Sequence, residues 1–388
     1  MIHLVRMPIL KKFMKTKSSW PLIIFFLLIS LTLGACAYGS VKVKNIPPNP
    51  LAYDQFPQKP TWVFEAQEEV KNTPLVKGDR VFIRTERAVY ALNAHDGKLL
   101  WKTDYPVEPD WGFPQMAISD ILLVPGGRSS VVSYSPEDGR VLWADHWLHS
   151  IGQSTVISIA FLDNLTYVGR SGSTLTAYEQ KYGNIQWQGS VLARAYFYLY
   201  TYENSVFIAD KHTLKAYDGV SGKLLLQKDF EEYIGPILID NGILYVETGI
   251  DQVNLIAIDL ATFTKIWERA LPDYSNFKTN TITSYSNSLL VSGDAFFAID
   301  NNSGDLLWEK NNGEIGDAGR PVVLGSRVYV RNSSGSLWSL DLETGKYLGK
   351  VKLQGNGGID CLCEDGPAIY KDLLIIPYGD NRVFAYRP

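Results

Sequence analysis

Between Lys59 and Pro388 the apolar positions fall in short runs rather than long stripes. Val81-Phe82-Ile83 is followed by Val89-Tyr90-Ala91-Leu92, and Val328-Tyr329-Val330 by Leu337-Trp338-Ser339-Leu340. These runs are β-branched and aromatic, and Gly, Asn and Asp bound them, which predicts strands. A further strand precedes each pair. It is often entered through proline, as at Asn72-Thr73-Pro74, Gly112-Phe113-Pro114, Gly235-Pro236, Gly319-Arg320-Pro321 and Gly366-Pro367. A fourth, tryptophan-bearing run closes the unit. Four strands are the content of one propeller blade, and no long helical periodicity competes with this reading.

The unit repeats about every forty residues, a period that signals a solenoid, a propeller or an array. Its clearest copies are Ala91-Leu92-Asn93-Ala94-His95-Asp96-Gly97-Lys98-Leu99-Leu100-Trp101 and Ala298-Ile299-Asp300-Asn301-Asn302-Ser303-Gly304-Asp305-Leu306-Leu307-Trp308. The tryptophan position recurs as Trp62, Trp101, Trp143, Trp187, Leu226, Trp267, Trp308 and Gly349. Four residues before it, inside the array, stands a turn residue: Gly97, Gly139, Gly183, Gly222, Phe263, Gly304 or Gly345. Glycine supplies the positive φ of a tight hairpin; Phe263 therefore predicts a different turn in its unit. The C-terminus provides three strands and lacks the tryptophan strand, whereas Thr61-Trp62-Val63-Phe64 is a tryptophan strand without its unit. Paired, they complete one blade and remove an exposed sheet edge. The expected architecture is all-β: an eight-bladed β-propeller of four-stranded antiparallel blades, its ring closed by N- and C-terminal strands in one blade.

The repeated phrase resembles that of the PQQ-like β-propeller family, which includes quinoprotein dehydrogenases and the BamB-like lipoproteins of outer-membrane protein assembly. The resemblance spans nearly all of the chain after the leader. It implies that Trp62, Trp101, Trp143, Trp187, Trp267 and Trp308 dock between blades. Leu226 and Gly349 depart from the pattern, so no such contact is implied there. The dehydrogenases resemble this chain in fold, but their sites use adjacent cysteines and carboxylate ligands to calcium. Here Cys361 and Cys363 are separated by one residue.

The leader reads as an address. Lys11, Lys12, Lys15 and Lys17 precede the apolar run from Leu22 to Leu33. That run is shorter than the about 20 residues of a membrane span, so residues 1–35 read as a signal peptide. Leu33-Gly34-Ala35-Cys36 resembles a bacterial lipobox, in which the cysteine is lipidated and becomes the mature N-terminus. Residues 36–58, with Pro47-Pro48, Pro50 and Pro57, read as the lipidated Cys36 and a flexible tether. Residues 59–388 form the propeller. Translation from Met1 and from Met14 are both compatible with this leader. The implied location is extracytoplasmic and membrane-anchored at the cell envelope.

Net charge is −4 and charged residues make up 20% of the chain, which gives no basic excess for nucleic acid. Cys361-Leu362-Cys363 is too closely spaced for an unstrained disulfide and is not a thioredoxin-like motif. It reads as a local staple or as two free thiols. His146 and His149 lack a third ligand. No catalytic, cofactor-binding or metal-binding residue is assigned. Tyr196, Tyr198, Tyr200 and Tyr202 share one face of a strand, which allows packing between blades or a channel lining. The remaining signal is in the connections that cross from one blade to the next. They carry Glu108, Asp110 and Trp111; His146, Trp147 and His149; Glu231, Glu232 and Tyr233; and Asp273, Tyr274 and Phe277. These crossings emerge on one face, where Trp111, Trp147, Tyr233 and Tyr274 are candidate partner-binding residues.

Two functions remain open at this level. One is a non-enzymatic, lipid-anchored scaffold, a monomeric propeller that binds a protein or polymer partner in the envelope. The other is a quinone- or metal-dependent oxidoreductase that uses the central channel.

Overall fold

A computed structural model describes residues 59–388, apart from 71–72, 106–115, 127–129, 146–155, 172–173, 191–197, 273–280, 311–314, 316–317, 333–335, 353–365 and 378–379. Its strands form eight four-stranded antiparallel sheets arranged as a ring. Seven are consecutive meanders: residues 75–104, 117–145, 156–190, 198–229, 234–271, 281–310 and 322–352, here blades 1 to 7. Blade 8 joins strands Ala368–Tyr370, Leu373–Pro377 and Arg382–Tyr386 to the N-terminal strand Trp62–Glu65. Trp62 pairs with Ala385 and Glu65 with Arg382. The amides of Ala66 and Val70 extend this closure, donating to Asn381 O at 2.7 Å and Asp380 O at 2.9 Å.

The core lies between blades. Successive residues of a strand face opposite sides of its sheet, so Val81 and Ile83 pack towards blade 8 while Phe82 packs towards blade 2. Eight apolar layers result among the described residues, one at each junction. The second and third strands of a blade are buried on both faces, and the outer strand is half exposed.

The hairpin into the outer strand explains the repeated phrase. In blade 1 the Asn93 amide donates to Lys98 O and the Gly97 amide to Asn93 O, both at 2.8 Å. Gly97 has φ 71°, and the ladder slips between Ala91 and Leu92. A turn ending in a left-handed residue and a bulge gives this pattern. The side chain that opens the turn caps it: Asp259 accepts from the Thr262 amide and Asp300 from the Ser303 amide. The Thr262 hydroxyl, followed by its backbone amide, holds the Asp259 carboxyl below its ordinary range.

In six blades the indole of the outer strand then lies on the next blade's turn. A Cβ placed on Gly97 would come 2.6 Å from Trp62 Cε3. Gly139, Gly183, Gly222, Gly304 and Gly345 receive Trp101, Trp143, Trp187, Trp267 and Trp308 in the same way. Each indole Nε1 donates to the carbonyl three residues before that glycine: Ala94, Pro136, Gln180, Gly219, Asn301 and Leu342, at 2.7 to 3.1 Å. Within its own blade each indole sits opposite a small residue, such as Ala91 for Trp101 or Ser133 for Trp143.

The two departures have physical explanations. Phe263 was expected to change its turn and does not. It has φ 56°, its amide donates to Asp259 O at 2.8 Å, and the ladder slips at Ala257/Ile258 as elsewhere. The left-handed conformation costs a residue with a Cβ about 1–2 kcal/mol, and packing of the partly buried phenyl ring works against this cost. The neighbouring blade presents Leu226 in place of an indole, and both side chains pack in the layer between blades 4 and 5. Gly349 faces blade 8, whose third and outer strands come from opposite ends of the chain. No hairpin joins them, so no turn is present there to receive an indole.

Leu226→Trp alone should clash with the Phe263 Cβ, and Phe263→Gly alone should leave a cavity. The double variant should recover at least half of the summed loss in denaturant midpoint; strictly additive losses would show that the two positions are not coupled. Deleting residues 59–66 should strip blade 8 of its outer strand and lower the melting temperature sharply, whereas deleting 37–46 should leave it unchanged. Calorimetry of both truncations checks this.

Candidate partner-binding face

In a four-stranded meander, the first and third turns of a blade share one face. The second turn and the crossing to the next blade share the other. All crossings therefore leave from one side of the ring. Trp111, Trp147 and Tyr274 fall in crossings outside the described residues. So do Glu108, Asp110, His146, His149, Asp273 and Phe277, as well as Cys361 and Cys363; Cys36, in the leader, is also outside the described residues.

Tyr233 belongs to the crossing between blades 4 and 5, which is only Phe230 to Tyr233. Backbone contacts hold it on both sides. The Phe230 amide donates to His212 O at 2.7 Å, the Ile234 amide to Lys211 O, and the Gly249 amide to Tyr233 O at 2.8 Å. Gly249, at φ 89°, cannot carry a side chain, because a Cβ would lie 2.1 Å from Gln252 O. The half-buried Tyr233 ring meets His212 edge-on, with centroids 6.1 Å apart. Burial raises the Tyr233 hydroxyl pKa, and the charge of Asp210 adds to the effect. Glu231 and Glu232 beside it are exposed.

At the end of the outer strand of blade 2 is a largely buried ionic network. Arg170 closes the second strand of blade 3 and is fully buried. Its guanidinium donates to Asp145 Oδ2 at 3.1 Å, Tyr178 Oη at 2.9 Å and Thr176 Oγ1 at 3.2 Å. Tyr178 donates its own proton to Asp145. Burial pushes the Tyr178 hydroxyl up to about 12. Asp145 ends the outer strand of blade 2, so the network fixes the start of that crossing to the following blade. Blade 1 has a related device. The Arg84 guanidinium lies 5.3 Å from the centroid of the Tyr105 ring, and the Tyr105 hydroxyl donates to Val124 O of blade 2 at 3.0 Å. Sequence reasoning did not single out Arg84, Asp145, Arg170 or Tyr178. The available signal was an arginine closing a mostly apolar second strand, at Arg84 and again at Arg170.

The inner strands are joined by side-chain hydroxyls. Ser158 Oγ accepts from the Leu199 amide at 3.1 Å, Thr201 donates to Phe161 O at 3.0 Å, and Tyr200 Oη accepts from the Ile237 amide at 3.0 Å. Tyr200 and Tyr202 pack between blades 4 and 5. Tyr196 and the side chain of Tyr198 lie outside the described set. On the opposite face, at the closing junction, the Tyr370 hydroxyl bonds Asp79 and lies 2.6 Å from His95 Nε2, and Lys371 Nζ donates to it at 2.7 Å. Among the described residues no group of three or more His, Cys, Asp or Glu side chains is placed to hold a metal, and no helix is long and apolar enough to cross a membrane.

The sequence profile of the family described as outer membrane protein assembly factor BamB matches residues 33–147, 89–195 and 254–388, well over half of the chain. The chain belongs to the BamB family. The outer membrane protein assembly factor BamB of Yersinia pestis is 21% identical over 314 residues, covering 80% of this chain and 69% of that protein. The crystal structure of BamB from Moraxella catarrhalis superposes with a TM-score of 0.63 at 14% identity, covering 84% of this chain and 98% of that one. The quinohemoprotein alcohol dehydrogenase of Comamonas testosteroni gives 0.65 at 10% identity, over 84% and 76%. The structural likenesses establish the propeller fold. Membership of the BamB family rests on the profile match.

Asp145→Ala should take the carboxylate partner from the buried Arg170 guanidinium, at a cost of about 2–3 kcal/mol. Tyr178→Phe, which keeps the ion pair, should cost about 1 kcal/mol. Urea unfolding of the two variants checks this order; equal losses would remove the ion pair from its structural role.

Proposed function

We propose that this chain is a non-enzymatic scaffold that acts in outer membrane protein assembly. It is anchored through a lipid on Cys36, and as a single propeller it binds a protein partner on the crossing-loop face. Membership of the BamB family is the observation that carries the assembly role. The lipobox-like Leu33-Gly34-Ala35-Cys36 supports the anchor, because two acyl chains give stable membrane attachment where one is marginal.

The crossing-loop face supports the partner site through its arrangement. Every crossing leaves the same side of a ring whose blades are latched to one another, and loops on a rigid scaffold are suited to recognition. Trp111, Trp147, Tyr233 and Tyr274 are the proposed anchors on that face. The Asp145–Arg170–Tyr178 network gives the Trp147 crossing a fixed starting point. Tyr233 rests against His212, so its contribution combines packing with contact.

Crosslinking and pull-down from envelope fractions test this reading. The Trp111→Ala/Trp147→Ala double variant should recover at least about thirtyfold less partner at an unchanged melting temperature. Unchanged recovery with a lowered melting temperature would assign these rings to packing. Cys36→Ser should release the protein to the soluble fraction or leave an uncleaved precursor. An absorbance scan and metal analysis of the purified protein address the oxidoreductase alternative, which a bound quinone would favour.

A further inference from the structure

The outer strand of every blade is an edge strand, and an unprotected edge pairs with other chains unless charge, proline or distortion prevents it. Seven of the eight described outer strands carry charge. Leu99–Asp104 has Lys102 and Asp104, Val141–Asp145 has Asp145, and Leu224–Asp229 has Lys228 and Asp229. Lys265–Leu271 has Lys265, Glu268 and Arg269, and Leu306–Lys310 has Glu309 and Lys310. Tyr347–Lys352 has two lysines, and Trp62–Glu65 has Glu65. The strand of blade 3, Ile185–Ser190, reads Ile-Gln-Trp-Gln-Gly-Ser and has none. Blades 1 to 7 all have the bulge at the start of this strand, so among them charge is what distinguishes blade 3.

Three further features converge on that edge. No backbone hydrogen bond reaches it from outside its own sheet among the described residues. A Cβ added at Gly189 would meet nothing within 4 Å, so the sheet face beside this edge is open at that position. Large apolar side chains cluster at its start: Tyr182 is 63% exposed and Ile185 53%, and across the junction Val220 is 75% and Leu225 54% exposed. Trp187 sits on Gly222, which brings the turn that carries Val220 alongside this strand.

We propose that Ile185–Ser190 is a docking edge for an extended peptide segment, which adds as a fifth strand to blade 3 and turns apolar side chains towards Val220 and Leu225. This rests on the reading that the partner is a protein, and it names the chemistry recognised: an unfolded segment with alternating apolar positions. Backbone pairing supplies the affinity, and alternate side-chain contacts supply the preference. A second copy of this chain fits less well. Six residues span about 20 Å, and two ring rims meeting along one strand fall well short of the roughly 1,200 Å² of a stable interface. A flexible segment can follow both the edge and the apolar patch.

The probe is a fluorescein-labelled decapeptide of alternating valine and threonine, with a lysine at each end, titrated against the mature protein by anisotropy. Binding should saturate, and hydrogen exchange should slow at least tenfold over residues 185–190. Gln186 and Ser190 are exposed, so charge can be placed there without disturbing the core. Gln186→Lys/Ser190→Lys and Gln186→Glu/Ser190→Glu should both weaken binding at least tenfold at an unchanged melting temperature. Weakening by lysine with strengthening by glutamate would reduce the effect to charge attraction and overturn the proposal. So would absence of saturable binding, protection on another blade, or a concentration-dependent dimer protected over 185–190. None of these readouts depends on recovery of an envelope partner, so failure here is distinct from failure of the assembly role.

Discussion

The indole of one blade resting on the turn glycine of the next is the contact on which the ring depends. It joins three requirements at one place. The hairpin needs a left-handed residue, the indole needs a surface without a Cβ, and its Nε1 needs an acceptor. The glycine meets the first two, and the carbonyl three residues before it meets the third. This dependence explains the exchange at the junction of blades 4 and 5. Once Leu226 replaces the indole, the turn no longer requires glycine, and Phe263 fills the space at a tolerable backbone cost.

The outer latches work together with an inner set. Near the axis the first strands of neighbouring blades do not pair as a sheet, so their polar groups need other partners. Hydroxyls of Ser158, Thr201 and Tyr200 provide them between blades 3, 4 and 5. At the closing junction, pairing of Trp62–Glu65 with Arg382–Tyr386 joins the two ends of the chain, and the Tyr370 hydroxyl bonds Asp79 across the same seam. The ring is thus latched at its rim and near its axis, which is what a surface built from loops needs beneath it.

The blades leave two kinds of surface outside their layers. The crossings share a face because the meander has an even number of strands. The edges share a rim because each blade ends on an unpaired strand. The buried Arg170 network links the two: it secures the start of one crossing to the neighbouring blade, and a buried charge tolerates only a well-matched partner.

Much of the architecture was legible in the residues. The recurrence of Gly97 with Trp101 and of Gly304 with Trp308 gave the blade and its turn. The orphan strand at Trp62 gave the closure. These are local signals, set by strand alternation and turn conformation within some ten residues. The partners of each indole were not legible, because Nε1 of Trp62 and of Trp143 reach carbonyls 32 and 37 residues away, in another repeat. The compensation of Phe263 by Leu226 and the meeting of Arg170 with Asp145 are of the same kind. Such contacts depend on which side of a sheet a residue faces and on how neighbouring blades stack, and only the closed ring fixes both.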